Sequence, residues 1–426
     1  MIETDVLIIG AGTAGYVAFR AARKHTQNVK ILNAGHWGTT CAMEGCMPSK
    51  LLIAAAENAH QFEVSPTYGV NLGKPEIDRK GVMNWMHHYR EKWAFGLHNR
   101  ATQPSDNEYY NNHIQGKGKF YDANTVQTDQ GELIKFKSCV IATGSTPRLP
   151  ENLNFKKTIT TDSIFNLKEL PESLAIVGAG VIALELGQAM SRLGVKVKFF
   201  IRDNNIGRFS DPVVKEEANK IFNDKLDFEV VSNMTEETFK DYDNVLVAAG
   251  RIPNVVEGIP YTYEDRRDSS TNYDNIFIAG DVTGQMTLQH EAADEGHIAG
   301  DNAGRVAVGL LKTDGHLRSP LAVVFTDPQI MYVGKPWDHR YKVGTIDWSN
   351  QGRSNIMQKA EGITRLYFDS DDNFVGAEGI GPDAEHHAHW LAMAHQMELT
   401  RQQMIDMPFY HPTTIEGIRT ALKGVK

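Results

Sequence analysis

A glycine-rich turn, set between an apolar run and a helical pattern, occurs twice in this 426-residue chain and limits what it can fold into. The first copy runs from Val6 to Ile9 and into Gly10-Ala11-Gly12-Thr13-Ala14-Gly15. The second runs Ala175-Ile176-Val177, then Gly178-Ala179-Gly180-Val181-Ile182-Ala183, with a helical stretch through Leu186 and Met190. Glycines at these points permit a tight turn and close backbone approach, and the helix N-terminus behind them holds phosphate charge. One such turn is weak evidence, because many tight turns match it. Two, each between a strand and a helix, predict an α/β fold with two Rossmann-like dinucleotide-binding domains, and therefore two dinucleotides.

Two of the three cysteines, Cys41 and Cys46, flank Ala42-Met43-Glu44-Gly45 just downstream of the first turn. A structural disulfide is disfavoured without a secretory context. Zinc normally takes four ligands with tighter cysteine spacing, and only His36 lies near. A redox pair beside a dinucleotide is the better reading, with electrons passing between the two. Cys139 stands in Ser138-Cys139-Val140-Ile141-Ala142, where a thiol packs as a small hydrophobe, and no chemistry is expected of it. His386, His387, His389 and His395 invite a metal, but adjacent histidines point in different directions on a helix and no cysteine or carboxylate completes a tetrahedron, so no metal site is expected.

The chain is too long for one core. At 41% hydrophobic and 23% charged residues it has ordinary globular values. A net charge of -9 argues against nucleic acid, which needs a basic surface. The stretch Val6 to Ile9 reads as a strand and not a signal peptide, and no apolar run approaches membrane-spanning length, so a soluble cytoplasmic protein is expected. Ala142-Thr143-Gly144 closes a strand late in the first unit. Ile276-Phe277-Ile278-Ala279-Gly280-Asp281 is a buried-looking strand ending in an acid, where open α/β sheets bind ligands. A helix is expected from near Gln289. After Arg318 come alternating apolar runs (Leu321 to Phe325, Gln329 to Val333, Gly362 to Phe368, Phe374 to Ile380), then helical stretches at Asp383 to Met397 and Arg401 to Met407. These predict an antiparallel sheet with helices, a separate C-terminal α+β domain. The expected division is 1–150 with 276–317, then 151–275, then 318–426.

About twenty residues beyond such glycines an acid normally takes the ribose hydroxyls. The first unit offers Asn33, which can hydrogen-bond a ribose but carries no charge. The second offers Ile201, followed by Arg202 and Arg208. Two arginines beside an apolar residue can hold a 2′-phosphate bidentately but cannot satisfy a ribose diol. The other reading is that both are solvated loop charges, with Asp203 the only nearby acid for a diol.

Six motifs together, GTTCAMEGCMPSK (Gly38 to Lys50), IVGAGVIALELG (Ile176 to Gly187), VAAGRIPN (Val247 to Asn254), IFIAGD (Ile276 to Asp281), LQHEAADEG (Leu288 to Gly296) and HPTTIE (His411 to Glu416), resemble the flavin disulfide reductases of the pyridine nucleotide-disulfide oxidoreductase family. The resemblance covers nearly the whole chain and is strongest to the dihydrolipoamide dehydrogenase branch. It implies FAD held by Gly10, Gly12, Gly15, Asn33, Thr143, Gly144 and Asp281, and NAD(P) held by Gly178, Gly180, Ala183, Arg202, Arg208 and Gly250. It implies a redox disulfide in which Cys46 faces the flavin and an exposed Cys41 attacks the substrate disulfide. Lys50 and Glu185 match the family's ion pair beside the flavin. His411 and Glu416 match its acid/base dyad, contributed by the other subunit of a homodimer that the C-terminal domain forms. An imidazole shuttles the thiol proton, and a carboxylate fixes its tautomer. The implied partner is a lipoyl group, free or on a carrier protein of a 2-oxoacid dehydrogenase or glycine cleavage complex, with no nucleic acid and no membrane.

The pattern is not matched throughout. Asn33 replaces the family's usual glutamate and Ala183 its third glycine. Ile201, Arg202 and Arg208 look like the NADPH-using glutathione reductases, whereas lipoamide enzymes usually take NAD. The stretch Val231 to Asn244 is shorter than the family's β-meander, and the loop Asn254 to Asp274 is trimmed. An NADPH-dependent reductase of glutathione or another small disulfide is therefore the first rival reading. A non-catalytic nucleotide-binding scaffold is the second, and it has no need of Cys41, Cys46, Lys50, Glu185, His411 and Glu416 together.

Overall fold

The computed structural model describes residues 1–103 and 109–426. They form two compact units: Met1–Pro48, Trp85–Arg148 and Gly250–Leu317 in the first, and Ser49–Asn84, Leu149–Ala249 and Arg318–Lys426 in the second. No helix among the described residues is long and apolar enough to cross a membrane.

In the first unit the strand Ile2–Ile9 lies parallel between Val29–Asn33 and Leu133–Ile141, with Ile8 opposite Ile31 on one side and Val140 on the other. Val6, Leu7 and Ile8 are fully buried, as a parallel strand covered on both faces requires. His113–Gln115 extends the sheet beside Val29–Asn33, and Ile276–Ile278 extends it beside Leu133–Ile141. Beyond that edge Ser270–Thr271 and Tyr263–Asp265 add antiparallel strands. Residues 250–275, expected with the second nucleotide domain, thus fall in the first unit, with Tyr263–Asp265 and Ser270–Thr271 on its main sheet and Arg251–Pro253 in a separate two-stranded sheet. The hydrogen bonds explain the shift: Arg251–Pro253 pairs with Ser145–Pro147 and Ser270 with Phe277, ties that the alternating sequence pattern does not reveal.

The helix Thr13–Ala22 crosses Gln289–Ala307, which starts at the expected Gln289. Gly296 and Gly300, four residues apart, face Ala14 and Ala18. A Cβ would stand 2.4 Å from the Ala14 carbonyl oxygen at Gly296 and 2.2 Å from that of Ala18 at Gly300. Backbone therefore packs directly on backbone, at interior density.

The second unit holds a parallel sheet in the order Phe228–Val230, Lys196–Ile201, Ser173–Val177, Asn244–Val247, Thr158–Thr160. Between Phe228–Val230 and Asn244–Val247 stands a single 3-10 turn, Glu236–Phe239, where the longer meander would lie. The same unit contains an antiparallel sheet in the order Leu321–Val324, Gln329–Gly334, Phe374–Gly381, Ile363–Phe368, Lys342–Asp347. Helices Ala384–Gln396, Arg401–Ile405 and Ile415–Lys423 follow it. Leu391, Met404, Ile418 and Leu422 from those helices share one core with Trp348, Leu366 and Phe368.

The helix crossing gives the first prediction. Gly300→Ala drives a methyl group into the Ala18 backbone, so unfolding should be easier by about 1–3 kcal/mol, the usual range for overpacking. The check is the urea midpoint at constant m-value; an unchanged midpoint would mean that the helices separate without loss.

Candidate active site

The first glycine turn is shaped by what it lacks. Gly10 has φ 108° and its missing Cβ would stand 2.3 Å from the Ala142 carbonyl oxygen; a Cβ on Gly15 would stand 1.9 Å from the Gly10 oxygen. At Gly12, the N-cap of helix Thr13–Ala22, a Cβ would meet nothing within 4 Å, and no side chain caps the helix amides. Open space in front of unclaimed amides fits a pyrophosphate. Asn33 serves the turn itself: its Oδ1 accepts from Ala11 N (3.1 Å) and its Nδ2 donates to the Gly35 and His36 carbonyls. Thr143 and Gly144 are tied to Asn254, whose Nδ2 donates to the Thr143 carbonyl and whose backbone N–H donates to that of Gly144. Asp281 Oδ2 accepts from Ser145 Oγ (2.7 Å), which in turn accepts from Arg251 Nε (2.7 Å). Sequence reasoning missed Ser145 and Arg251, although the VAAGRIPN motif contains the arginine. Gly250 has φ 103°, and its carbonyl accepts from Arg148 N within the first unit rather than lying on the second sheet.

Cys41 sits in the helix Thr40–Glu44, whose N-cap Thr39 accepts from Ala42 N; Cys46 opens the helix Cys46–Val64. Cys41 is half-buried and Cys46 exposed. Cys46 is the first residue of its helix, so no preceding turn covers it. Cys139 is fully buried in the strand Leu133–Ile141, where desolvation pushes its thiol far up and keeps it inert.

Lys50 Nζ lies 2.6 Å from Glu185 Oε2. Glu185 is almost fully buried on the helix Val181–Arg192, and its other oxygen accepts from Phe325 N at 2.9 Å. The Lys50 ammonium also stands 4.5 Å from the centre of the Phe325 ring. A buried carboxylate is tolerable only when paired and hydrogen-bonded, and here both oxygens are satisfied. Phe325 was not legible as a site residue, because VVFTDP reads as a plain strand end.

At the second turn Gly178 has φ 118°, and its Cβ would meet the Ala248 carbonyl oxygen at 2.7 Å. Gly180 caps the helix Val181–Arg192 without a side chain, leaving amides to fit a second pyrophosphate, and Ala183 is buried behind it. The nearest atom to a Cβ on Gly180 is Arg208 Nε, at 3.7 Å. Arg202 and Arg208 are both exposed, and among the described residues no carboxylate lies within ion-pair distance of either.

His411 Nδ1 lies 3.1 Å from each oxygen of Glu416, in the first turn of helix Ile415–Lys423. Thr413 N donates to the same carboxylate. That amide, and then His411, hold the Glu416 carboxyl below its ordinary value. With Nδ1–H so engaged, Nε2 carries the lone pair of an exposed imidazole. Beneath the loop, Thr414 Oγ1 donates to Asp383 and accepts from His387 Nε2 at 3.1 Å; His387 is buried and stacked on Trp348 with ring centres 5.1 Å apart. The other histidines of that cluster have separate partners: His389 Nδ1 bonds the Glu385 carbonyl, and His395 Nδ1 meets Ser319 Oγ.

Two family models match the chain: pyridine nucleotide-disulphide oxidoreductase over residues 4–296, and the dimerisation domain of the same family over residues 321–422. The chain belongs to the pyridine nucleotide-disulphide oxidoreductases. It is 30% identical to the dihydrolipoyl dehydrogenase of Buchnera aphidicola subsp. Schizaphis graminum, across 99% of this chain and 95% of that protein. It is also 30% identical to that of Geobacillus stearothermophilus, across 97% and 94%. The first alignment extends over 472 positions against a chain of 426 residues, so the Buchnera protein carries segments that this one lacks. The HOCl-induced flavoprotein disulfide reductase RclA from Escherichia coli, solved as a Cu(II) complex, shares the fold with a TM-score of 0.81 at 19% identity over the whole of both chains. This member of the family is therefore an FAD-dependent oxidoreductase acting on sulfur groups, and its dimerisation domain supports a homodimer.

The His387 layer makes a prediction about this enzyme's acid stability. Burial lowers the His387 pKa to about 4 from an ordinary 6.5. Its Nδ1 has no hydrogen-bond partner, so a second ring proton would find no acceptor. Below pH 6.5 the unfolded chain binds a proton that the native chain refuses, so native stability should fall as pH drops from 6.5 towards 4, by roughly 3 kcal/mol in all. His387→Phe should flatten that part of the stability–pH curve measured by urea unfolding. An equally steep curve in the variant would assign the loss to other groups.

Proposed function

We propose that the chain is a dihydrolipoyl dehydrogenase-type enzyme, exchanging electrons between NAD(P) and a lipoyl group, free or on a carrier protein of a 2-oxoacid dehydrogenase or glycine cleavage complex. The observation that carries the reading is the His411 imidazole, turned by both oxygens of Glu416 so that Nε2 is left to take a proton. The two dihydrolipoyl dehydrogenases 30% identical over nearly the whole chain support the choice of substrate. FAD, when bound, supplies the two-electron carrier between the cysteine pair and the nicotinamide.

The chain's own residues carry out the rest. A thiolate of the dihydrolipoyl group attacks Cys41 Sγ in the Cys41–Cys46 disulfide, breaking that bond and forming a mixed disulfide. The second lipoyl thiol then displaces Cys41, closing the lipoyl disulfide and leaving both cysteines reduced. Two electrons have moved from substrate to the cysteine pair. His411 Nε2 takes the proton that the attacking thiol loses, and Glu416 stabilises the imidazolium. Lys50 with Glu185 is assigned to the flavin site, and Gly10, Gly12, Gly15, Thr143, Gly144 and Asp281 to holding FAD.

One observation favours a second reading, an NADPH-dependent reductase of glutathione or another small disulfide: Arg208 lies against Gly180 with no carboxylate partner among the described residues. Either substrate is compatible with NADPH, so coenzyme and disulfide are tested separately. Purified holoenzyme assayed with NADH and NADPH against lipoamide and glutathione disulfide decides between them; glutathione turnover exceeding lipoamide turnover overturns the first reading.

Cys46→Ser should retain FAD and lose lipoamide turnover, and persistent turnover would remove the cysteine pair from the mechanism. His411→Gln should slow lipoamide turnover by about 10²- to 10⁴-fold, the usual contribution of a positioned acid/base, while NAD(P)H still bleaches the flavin absorbance. The expected coenzyme is NADPH. Charge-assisted bonds from two arginines favour it by roughly ten- to a thousandfold in affinity, and Arg202→Ala with Arg208→Ala should narrow the gap in Michaelis constants. A wild type that prefers NADH, with a ratio the double variant leaves alone, would make both arginines plain surface charges.

A further inference from the structure

We infer that the C-terminal antiparallel sheet sets nicotinamide choice by holding Arg208 against the second glycine turn, with Tyr332 and Glu378 as positioning residues. The inference rests on the reading above, that this turn takes a nicotinamide dinucleotide and Arg208 meets its 2′-phosphate.

Arg208 does not adopt its place through its own preferences. It has φ 63° and follows Gly207 at φ 80°, so two successive residues are left-handed and one of them carries a long side chain. Such a segment persists only where its surroundings hold it. Gly207 is gripped on both sides: its N–H donates to the Ala179 carbonyl inside the glycine turn at 3.1 Å, and its own carbonyl accepts from the Tyr332 hydroxyl. The Phe209 ring packs on Tyr332 with centres 5.3 Å apart. Glu378 closes the far end, accepting from Ser210 N and Asp211 N at 3.0 Å each and from the Ser210 hydroxyl. Asp211, fully buried, then receives Arg365 at 2.5 Å and the Tyr367 hydroxyl at 3.0 Å while capping the helix Pro212–Lys225.

Tyr332, Glu378, Arg365 and Tyr367 all stand on strands of the C-terminal sheet. Their combined effect is to fix the backbone on either side of Arg208, an exposed residue whose Nε lies beside Gly180 at an uncapped helix N-terminus. Arg202, one residue past its strand, has no such support. The grip around Arg208 fits a loop whose side chain must be presented in one position, since a bidentate contact to phosphate tolerates little misplacement.

The test uses holoenzyme and steady-state kinetics with NADPH and NADH, lipoamide being saturating. Tyr332→Phe and Glu378→Gln each remove hydrogen bonds to the loop while keeping side-chain volume, and Ser210→Ala, should either variant fold poorly, removes the hydroxyl bond to Glu378 together with the one that hydroxyl accepts from Trp337 N. The expected result is a rise in the NADPH Michaelis constant of roughly two- to tenfold, the range for a lost hydrogen bond, with kcat and the NADH constant unchanged. Added to Arg208→Ala, neither variant should have further effect on NADPH, because both act through the arginine. If Arg208→Ala weakens NADPH and the positioning variants do not, the inference fails while the coenzyme reading survives. Equal weakening of both coenzymes overturns it in favour of a merely structural grip. A wild type indifferent to the 2′-phosphate removes both the reading and the inference.

Discussion

Backbone must touch backbone for this chain to make its nucleotide site, and the first unit is arranged around the places where no side chain intervenes. Gly15 lies against the Gly10 carbonyl and Gly10 against that of Ala142, so the turn sits directly on the end of the neighbouring strand Leu133–Ile141. Gly296 and Gly300 continue the contact on the far side of the helix Thr13–Ala22. Strand, turn and two helices are thereby drawn together tightly enough that the helix amides behind Gly12 face open space rather than protein. The missing Cβ atoms divide two tasks between them: at Gly10, Gly15, Gly296 and Gly300 a Cβ would clash with backbone, and at Gly12 it would stand in open space. The first group lets the elements close on one another, and Gly12 leaves room where an anion can approach.

The charged residues obey a complementary rule, since each buried carboxylate of the second unit is satisfied by a fixed partner. Glu185 has Lys50 and the Phe325 amide; Asp211 has Arg365 and Tyr367; Glu378 has three donors from Ser210 and Asp211. Burial still pushes the Glu378 carboxyl above its ordinary value, because desolvation outweighs the donors. His411 and Glu416 differ: the imidazole is exposed, and among the described residues only its Nδ1 is hydrogen-bonded. The proposed proton transfer needs that freedom, since an imidazole held at both nitrogens as firmly as Asp211 is held would have nothing left to exchange.

Much of this was legible in the sequence where local chemistry decides the outcome. The glycine turns, the Cys41–Cys46 run and the His411–Glu416 dyad rest on motifs whose residues stand close together in the chain, whereas the Lys50–Glu185 pair, 135 residues apart, was legible only through the family resemblance. The helix from Gln289 and four strands of the C-terminal sheet followed from apolar periodicity. The fifth, Lys342–Asp347, did not, since its glycine and alternate polar residues give an edge strand little apolar signal. The helix Ile415–Lys423 was hidden for another reason: it is short, and Ile418, Ala421 and Leu422 become meaningful only against the core that they enter. Residues 250–275 were misplaced because a strand's partner is a long-range choice. Nothing local in Arg251-Ile252-Pro253 says that it pairs with Ser145–Pro147 rather than with the strand before it.

What separates the legible residues from the others is how they act. Gly12, Cys46 and His411 act through their own atoms, and their chemistry limits which residue types can stand there. Ser145, Arg251, Phe325, Tyr332 and Glu378 act by holding another group still, and many residue types can do that from many positions. Asn33 shows how the two kinds can be confused. Its position beyond the first turn marks it as a ribose ligand, yet its amide hydrogens are both given to the loop Gly35–His36 and its oxygen to Ala11. An uncharged side chain at that point forms more bonds with the protein than it leaves for a ligand. The replacement of an acid by Asn33 therefore bears on the turn's rigidity at least as directly as on any contact with a sugar.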